Sequence, residues 1–374
     1  MTPVRVVIAG GGTGGHLYPG IAIARELVAR RPDATVTFAG TSRGIESKVV
    51  PREGFQLDLL RSAGLKGRSG MAVLRGLATL PASAWDAWRI LSRRKPHLVI
   101  GVGGYSSGPV VLLAALRRIP TLLAEQNAVP GLTNRLLSRV VNGAAVSFES
   151  TVSFFGRRGF VTGNPVRPEF FETREGYEGG EGYEGGEGYE GTRDDRRVRV
   201  LIFGGSQGAH AINVAMVEAA PRLAAAGGVD VTHQTGERDV ELVRRGYQAA
   251  GLAARVEPFL YAMDREMKSA DLVISRAGAT TIAELTAAGR AAILIPLPTA
   301  ADDHQKKNAE VLARAGAAEL IEQKDLAGGA LADRILALTG DAARRQAIAQ
   351  AARSFARPDA AKTIVDRALE LAEC

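Results

Sequence analysis

Cysteine is almost missing from this 374-residue chain: the only one is Cys374, the last residue. An intramolecular disulfide is therefore excluded, as is a zinc site built on paired cysteines. A reducing, cytoplasmic setting is expected. Long hydrophobic runs are missing too. The longest, residues 109–116 and 291–298, fall far short of the ~20 residues needed to span a bilayer. Met1 leads almost directly into a strand-like run, so no secretory signal is expected. The Gly-x4-Gly-Lys-Ser/Thr pattern of P-loop NTPases is absent. Asp-x-Asp occurs nowhere, so a metal-bridged diphosphate lacks its usual ligands and no metal or other cofactor is expected.

What is present suits a globular enzyme. The length exceeds one ordinary core and fits two. Apolar residues make up 46%, enough to bury sheets on both faces. The net charge of +7 is unevenly placed: residues 61–95 hold eight basic side chains against one acid, Asp86. That asymmetry points to an anionic partner surface. Nucleic acid is not expected, because the segment's aromatics are confined to Trp85 and Trp88 and no nucleic-acid motif accompanies them.

Short β-branched runs alternate with Ala/Leu/Arg-rich helical stretches along the chain. Strands are expected at residues 4–9, 35–39, 97–102, 121–124, 199–203, 271–275 and 292–296. Several are nearly all apolar, as strands buried on both faces should be. The fold class is thus α/β with parallel, doubly wound sheets. The pattern also restarts. Residues 4–9 run into Gly10-Gly11-Gly12-Thr13-Gly14-Gly15-His16, and residues 199–203 into Gly204-Gly205-Ser206-Gln207-Gly208-Ala209, each followed by a helix. Two similar domains are expected, residues 1–165 and 197–374, joined by a linker at 166–196. The last helix is a candidate to return to the first domain. The linker carries Gly176-Tyr177-Glu178-Gly179-Gly180-Glu181, repeated from Gly182 and begun again at Gly188. Such a Gly-rich, acidic repeat is expected to be a solvated excursion whose deletion changes stability little.

Glycine turns between a strand and a helix let backbone N–H groups approach an anion. Gly10-x-Gly12-x-x-Gly15 even fits the dinucleotide fingerprint, which needs an acid at the end of the second strand for the ribose diol. That strand ends in Ala39-Gly40-Thr41, and the next acid is Glu46, which argues against NAD. Further turns follow at Gly101–Gly108 and at Ser275-Arg276-Ala277-Gly278, the last leading to a helix with Glu284. Four such turns at C-terminal strand ends point to phosphates bound there. Glu284 reads either as a capping-box partner of Thr281 or as a carboxylate for ribose hydroxyls. Gln305 and Asn308 would share a helix face and suit sugar hydroxyls, against the alternative of a solvated helix start. His16, beside mobile glycines and a helix start, is the candidate general base.

Taken in order, Gly11-Gly12-Thr13-Gly14-Gly15-His16-x-x-Pro19, Gly103-Gly104-Tyr105, Glu125-Gln126-Asn127 and Gly163-Asn164-Pro165-Val166-Arg167 resemble glycosyltransferase family 28, and within it the MurG family. So do Gly204–Ala209, Ser275–Glu284 and His304-Gln305-x-x-Asn308; the likeness spans the whole chain apart from the repeat. The resemblance implies a GT-B architecture, two Rossmann-like domains with parallel sheets facing a central cleft. It implies inverting transfer of GlcNAc from UDP-GlcNAc to the C4 hydroxyl of MurNAc in lipid I, giving lipid II for peptidoglycan. The N-terminal domain would then face acceptor and membrane, and the C-terminal domain would bind the donor. Carried over by motif, Thr13, Gly14, Gly15, Asn127, Arg167, Ser206, Ala279, Thr280, Thr281, Ile282, Ala283, Glu284 and Gln305 are the expected donor contacts. Leu260 is expected to meet the uracil through its backbone. Gly103, Gly104, Tyr105 and Glu125 fall on the acceptor side, with Glu125 the base to test after His16. His304 stands where some relatives have a second glutamine, which leaves sugar-epimer discrimination open. The resemblance also implies a peripheral place on the cytoplasmic face of the inner membrane, with other cell-wall synthesis proteins as candidate partners. Within residues 61–95, Met71, Leu74, Leu77 or Ala78, Pro81, Trp85, Trp88 and Leu91 recur at helical spacing. They read mostly as core, and otherwise as an apolar patch whose basic rim would settle on anionic lipid. Competing readings are another lipid glycosyltransferase, a UDP-GlcNAc epimerase and a non-catalytic nucleotide-sugar sensor.

Overall fold

The computed structural model describes residues 3–62, 70–171, 197–205 and 208–373. The glycine-tyrosine repeat and Ser206 lie outside them, as do the side chains of Met71, Leu74, Leu77 and Ala78. The chain forms two compact units, one of Met1–Val166 with Arg357–Cys374, the other of Arg167–Ala356.

In the first unit the order is β1 (Arg5–Gly10), α1 (Gly14–Arg30), β2 (Thr35–Gly40), α2 (Glu46–Arg52), β3 (Gln56–Leu59), α3 (Gly70–Arg94) and β4 (Leu98–Gly103). Then come α4 (Ser107–Leu116), β5 (Thr121–Glu125), α5 (Leu132–Leu137), β6 (Gly143–Val146), α6 (Glu149–Phe155) and β7 (Gly159–Val161). The strands pair in parallel in the order β3-β2-β1-β4-β5-β6-β7. Alternation along β1 divides its side chains between two cores. Val6 and Ile8 pack with Leu17, Ile23 and Leu27 of α1. Val7 and Ala9 pack on the other face with Ile90 and Leu91 of α3 and Val110 and Val111 of α4.

The second unit repeats the scheme with β8 (Val198–Phe203), α7 (His210–Ala226), β9 (Val229–Gln234), α8 (Val240–Ala250), β10 (Ala254–Glu257), α9 (Met263–Ser269) and β11 (Leu272–Ser275). It continues through α10 (Ala279–Ala288), β12 (Ala291–Leu294), α11 (His304–Arg314), β13 (Glu319–Leu320), α12 (Gly328–Gly340) and α13 (Ala342–Arg353). Its parallel sheet runs β10-β9-β8-β11-β12-β13. In each sheet the strand order reverses next to the unit's first strand, at β1/β4 and at β8/β11. The crevice at the carboxyl ends of such a reversal is where open α/β sheets bind ligands.

The final helix, α14 (Ala360–Glu373), belongs to the first unit. Its Ile364, Val365 and Ala368 are buried in the core that holds Val6 and Ile8. Arg30 also pairs with Asp366, but that carboxylate is 55% exposed, so the pair contributes about 0–1 kcal/mol. Burial of Ile364 outweighs it. Ile364→Ala should cost about 2–5 kcal/mol in urea unfolding, whereas Asp366→Ala should cost under about 1 kcal/mol. Equal small losses would mean that α14 is only loosely attached.

Candidate active site

At the β1/β4 reversal two glycine turns meet backbone to backbone. A Cβ on Gly10 would stand 2.5 Å from the Gly103 carbonyl oxygen, and one on Gly104 would stand 2.5 Å from that of Gly11. Both glycines have positive φ, so a side chain there is excluded by strain and by space. Upon this floor sits His16. A Cβ on Gly103 would lie 2.7 Å from its Cδ2 and 3.0 Å from its Nε2. Thr13 Oγ1 lies 3.1 Å from His16 Nδ1. If Thr13 accepts from Nδ1–H, the lone pair is on Nε2, the nitrogen facing the glycine floor. Thr13 is the N-cap of α1 and places Gly14, Gly15 and His16 in its first turn. Tyr105 is 52% exposed at the same edge.

Glu125 ends β5 with its side chain buried. Its carboxylate accepts from Asn127 N (3.0 Å), Asn127 Nδ2 (3.2 Å), Gly131 N (3.1 Å) and Asn134 Nδ2 (2.8 Å). Burial pushes this carboxyl upward, while those four donors oppose the shift. With its lone pairs so engaged, Glu125 anchors the loop that presents Asn127.

Glu46 was not among the expected site residues, yet it lies at the centre of this edge. It is fully buried and accepts from Gly12 N at 2.8 Å, Thr41 N at 2.9 Å and Thr41 Oγ1 at 2.8 Å. One of the four glycine turns thus already holds an anion, the chain's own. A carboxylate turned inward this way cannot hold a surface ribose, in keeping with the case against NAD.

In the second unit, α10 begins at Ala279 with Gly278 as N-cap, which puts Glu284 in the second turn and rules out a capping box with Thr281. The half-buried Glu284 carboxyl is pushed up to about 7 by loss of solvent; Arg167 opposes this and Asp264 adds to it. Arg167 itself is exposed, its guanidinium 5.1 Å from the Phe170 ring centre. Thr280 Oγ1, beside the N-cap, is buried and has no hydrogen-bond partner. Ala279, Thr281, Ile282 and Ala283 complete the first turns of the same helix.

Four side chains brace these loops. Asn308, expected to meet sugar hydroxyls, is instead fully buried and donates to the Ala277 carbonyl at 3.2 Å. Its amide braces the turn before α10. Gln305 remains partly accessible, and its Oε1 accepts from Leu297 N at 3.0 Å. Gln234, which carries no motif signal, donates to Gly205 O at 2.9 Å and accepts from Leu260 N at 3.0 Å. It ties the first glycine turn of this unit to the Leu260 loop, and the Leu260 amide is thereby engaged. Arg276 is buried beneath the second turn, donating to the carbonyls of Ile295 and Pro296 and to Gln323 Oε1. Burial lowers it to about 10, so it stays charged at neutral pH.

Three other histidines, His233, His210 and His97, have structural surroundings. His233 is buried between Tyr247 Oη (2.7 Å) and Asn213 Oδ1 (3.1 Å), and burial depresses it to about 3. His210 pairs with Asp239, and His97 with Arg5. Among the described residues no three His, Cys, Asp or Glu side chains converge as a metal site would require.

Models of glycosyltransferase family 28 match the chain in two parts, the N-terminal domain over residues 6–146 and the C-terminal domain over residues 199–364. A protein of Anaeromyxobacter sp. (strain Fw109-5) is 47% identical over 370 residues, 98% of this chain and 93% of that protein. It is described as UDP-N-acetylglucosamine--N-acetylmuramyl-(pentapeptide) pyrophosphoryl-undecaprenol N-acetylglucosamine transferase. The crystal structure of Acinetobacter baumannii MurG matches with a TM-score of 0.80 at 30% identity, over 98% of this chain and 100% of that one. A UDP-GlcNAc 2-epimerase from Neisseria meningitidis, bound to UDP-GlcNAc, matches with a TM-score of 0.66 at 15% identity, over 99% and 100% of the two chains. That likeness is one of fold alone.

Proposed function

The chain belongs to glycosyltransferase family 28, and from that membership we propose that it transfers GlcNAc from UDP-GlcNAc to MurNAc-pentapeptide pyrophosphoryl-undecaprenol. The observation that carries the reading is the joint placement of Glu284 and Arg167 by the glycine-capped start of α10. A carboxylate suits a ribose diol, while a guanidinium and a helix N-terminus suit a diphosphate. The second unit takes the donor. Thr280, Thr281 and Gln305 add hydroxyl and amide groups for phosphate and sugar, and Leu260 offers its backbone carbonyl to the uracil. The first unit takes the acceptor, with His16 as base and Gly103, Gly104 and Tyr105 on that side, while Thr13, Gly14, Gly15 and Asn127 are read as donor contacts.

The reaction is a single displacement with inversion. His16 Nε2 takes the proton as the C4 oxygen of MurNAc bonds to the anomeric carbon and the bond to UDP breaks. Negative charge growing on the departing diphosphate meets Arg167 and the α10 amides, donors fixed before the reaction. Radiolabelled UDP-GlcNAc incubated with a lipid I analogue should yield a labelled disaccharide lipid, and none without acceptor. Conversion of UDP-GlcNAc to its epimer in the absence of acceptor would overturn the reading. Turnover should also survive excess EDTA, since these donors carry the phosphate charge; loss on chelation, restored by Mg²⁺ or Mn²⁺, would overturn that mechanism.

No helix among the described residues is long and apolar enough to cross a membrane. A peripheral attachment is supported by one face of the first unit. Trp85 and Trp88 on α3 are 59% and 47% exposed and stack with ring centres 5.2 Å apart. Leu116 on α4 and Leu136 on α5 are more exposed still, and α4 packs against both α3 and α5. Exposed Arg89, Arg117 and Arg139 accompany them. Aromatic and leucine side chains with arginines at their rim suit an anionic bilayer surface. Replacing both tryptophans with serine should lower binding to phosphatidylglycerol vesicles roughly tenfold or more, with activity on a water-soluble acceptor unchanged. Undiminished vesicle binding would move the attachment elsewhere.

A further inference from the structure

Loops that follow the first strand of a doubly wound sheet commonly keep their amides for a ligand phosphate. Here one of those amides serves the protein itself. The Glu46 carboxylate lies against three glycines. A Cβ on Gly11 would be 2.7 Å from its Oε2, and one on Gly40 would be 2.7 Å from its Cγ. A Cβ on Gly44 would overlap the carboxylate outright. Gly12 N, Thr41 N and Thr41 Oγ1 donate into the same group. Burial alone would raise this carboxyl, but the amides of Gly12 and Thr41 overcome it and hold it below the usual carboxylate range. The group is therefore an ion at neutral pH, enclosed and hydrogen-bonded. Gly12 is joined directly to Thr13, whose hydroxyl meets His16.

We propose that Glu46 is the positioning residue of the acceptor-side loop: its carboxylate fills the loop's anion cradle and fixes Gly12 and Thr13, and so the orientation of His16. The proposal rests on the reading of His16 as the base. Without the carboxylate, the Gly12 N–H loses its acceptor and nothing replaces the anion in the glycine cradle. The loop then relaxes and the imidazole loses its angle to the acceptor hydroxyl. Glu284 and Arg167, on the donor side, belong to the other unit and should be untouched.

Three variants test this: Glu46→Gln, His16→Ala and the double change. Glu46→Gln keeps the shape but turns an amide NH₂ toward one of the donors that the carboxylate had satisfied. Its kcat should fall roughly 10- to 100-fold, with UDP-GlcNAc binding close to that of the unchanged protein. The double variant should be no slower than His16→Ala alone, because both changes act through one group. Glu46→Gln at full kcat beside a crippled His16→Ala sinks the positioning role and leaves the base intact. Losses that multiply, or a defect confined to donor KM, also sink it. A normal kcat for His16→Ala removes the base, and with it the route proposed for Glu46. Should Glu46→Gln fold poorly, Glu46→Ala in added formate gives the second readout. Formate is small enough for the vacated cradle, so activity should recover and saturate with formate but not with chloride. A folded, UDP-binding Glu46→Ala that formate leaves inactive would also overturn the proposal.

Discussion

His16→Ala should lower kcat by ~10²–10⁴ while UDP-GlcNAc binding stays nearly intact. The expected size follows from the step lost. A hydroxyl attacking a sugar carbon must shed its proton as the bond forms, and water is a poor substitute for a fixed imidazole. The expected split between kcat and donor binding follows from placement. His16 stands at the carboxyl edge of the first sheet on a floor of glycine backbone, whereas Glu284 and Arg167 belong to the other unit. Its Nδ1 contact with Thr13 Oγ1 fixes the ring, and Nε2 is the atom expected to accept the proton. In the pH–rate profile the acidic limb of the unchanged enzyme should flatten in the variant. A normal kcat with a raised acceptor KM would reduce His16 to a binding contact.

Glu125 would then be the next base to consider, and its geometry argues against it. Four donors already converge on its buried carboxylate. Glu125→Gln should therefore disturb the 125–131 loop and lower stability, because a buried amide placed among N–H donors leaves at least one without an acceptor. A variant that folds and melts normally but has lost its catalytic base would reverse this assignment.

The sheets were legible because their strands are short, apolar and separated by helical stretches, a pattern that few other architectures produce. Strands such as Gln56–Leu59 and Ala254–Glu257 escaped notice because they lie at or near sheet edges, where polar residues are tolerated. Glycine turns announced the two strand-order reversals. What they hold was harder to read. Glu46 makes its contacts with backbone N–H groups, which carry no mark in a sequence; its only trace was a carboxylate near Gly40 and Gly44. Asn308 misled for the opposite reason. Its helical spacing from Gln305 is real, but burial under the 276–278 turn decides its role. The basic stretch before Lys95 divided between two fates: Ala87, Ile90 and Leu91 enter the core, while Trp85 and Trp88 face solvent. Periodicity gives the faces of a helix but not which of them a neighbour covers, and the leucines of α4 and α5 that extend the tryptophan patch come from distant segments.

Glu284→Gln should weaken UDP-GlcNAc binding by about 1.5–3 kcal/mol at pH 8 and abolish its dependence on pH near neutrality. In the unchanged protein the Glu284 carboxyl sits at about 7, raised mainly by its burial. In the proposed contact, only the ionised form accepts from both ribose hydroxyls. Affinity should therefore be full at pH 8 and fall through pH 7, approaching about tenfold per pH unit on the acid side. UDP-GlcNAc suits the measurement because its diphosphate is esterified at both ends and does not titrate there. Binding near pH 7 should also release a proton, visible in calorimetry as a heat that varies with the buffer. Stability should move in the opposite direction. A carboxyl whose folded value lies above the unfolded value near 4.5 favours the fold when protonated, and that contribution declines from pH 4.5 to about 7. Glu284→Gln avoids the buried charge, so it should melt higher than the unchanged protein at pH 8, with the gap closing by about pH 4.5. The donor site would then hold its carboxylate at a cost to stability that bound nucleotide repays. A variant with weaker binding, no gain in melting temperature and an unaltered pH profile would place the titrating group elsewhere and leave Glu284 a neutral hydrogen-bonding contact.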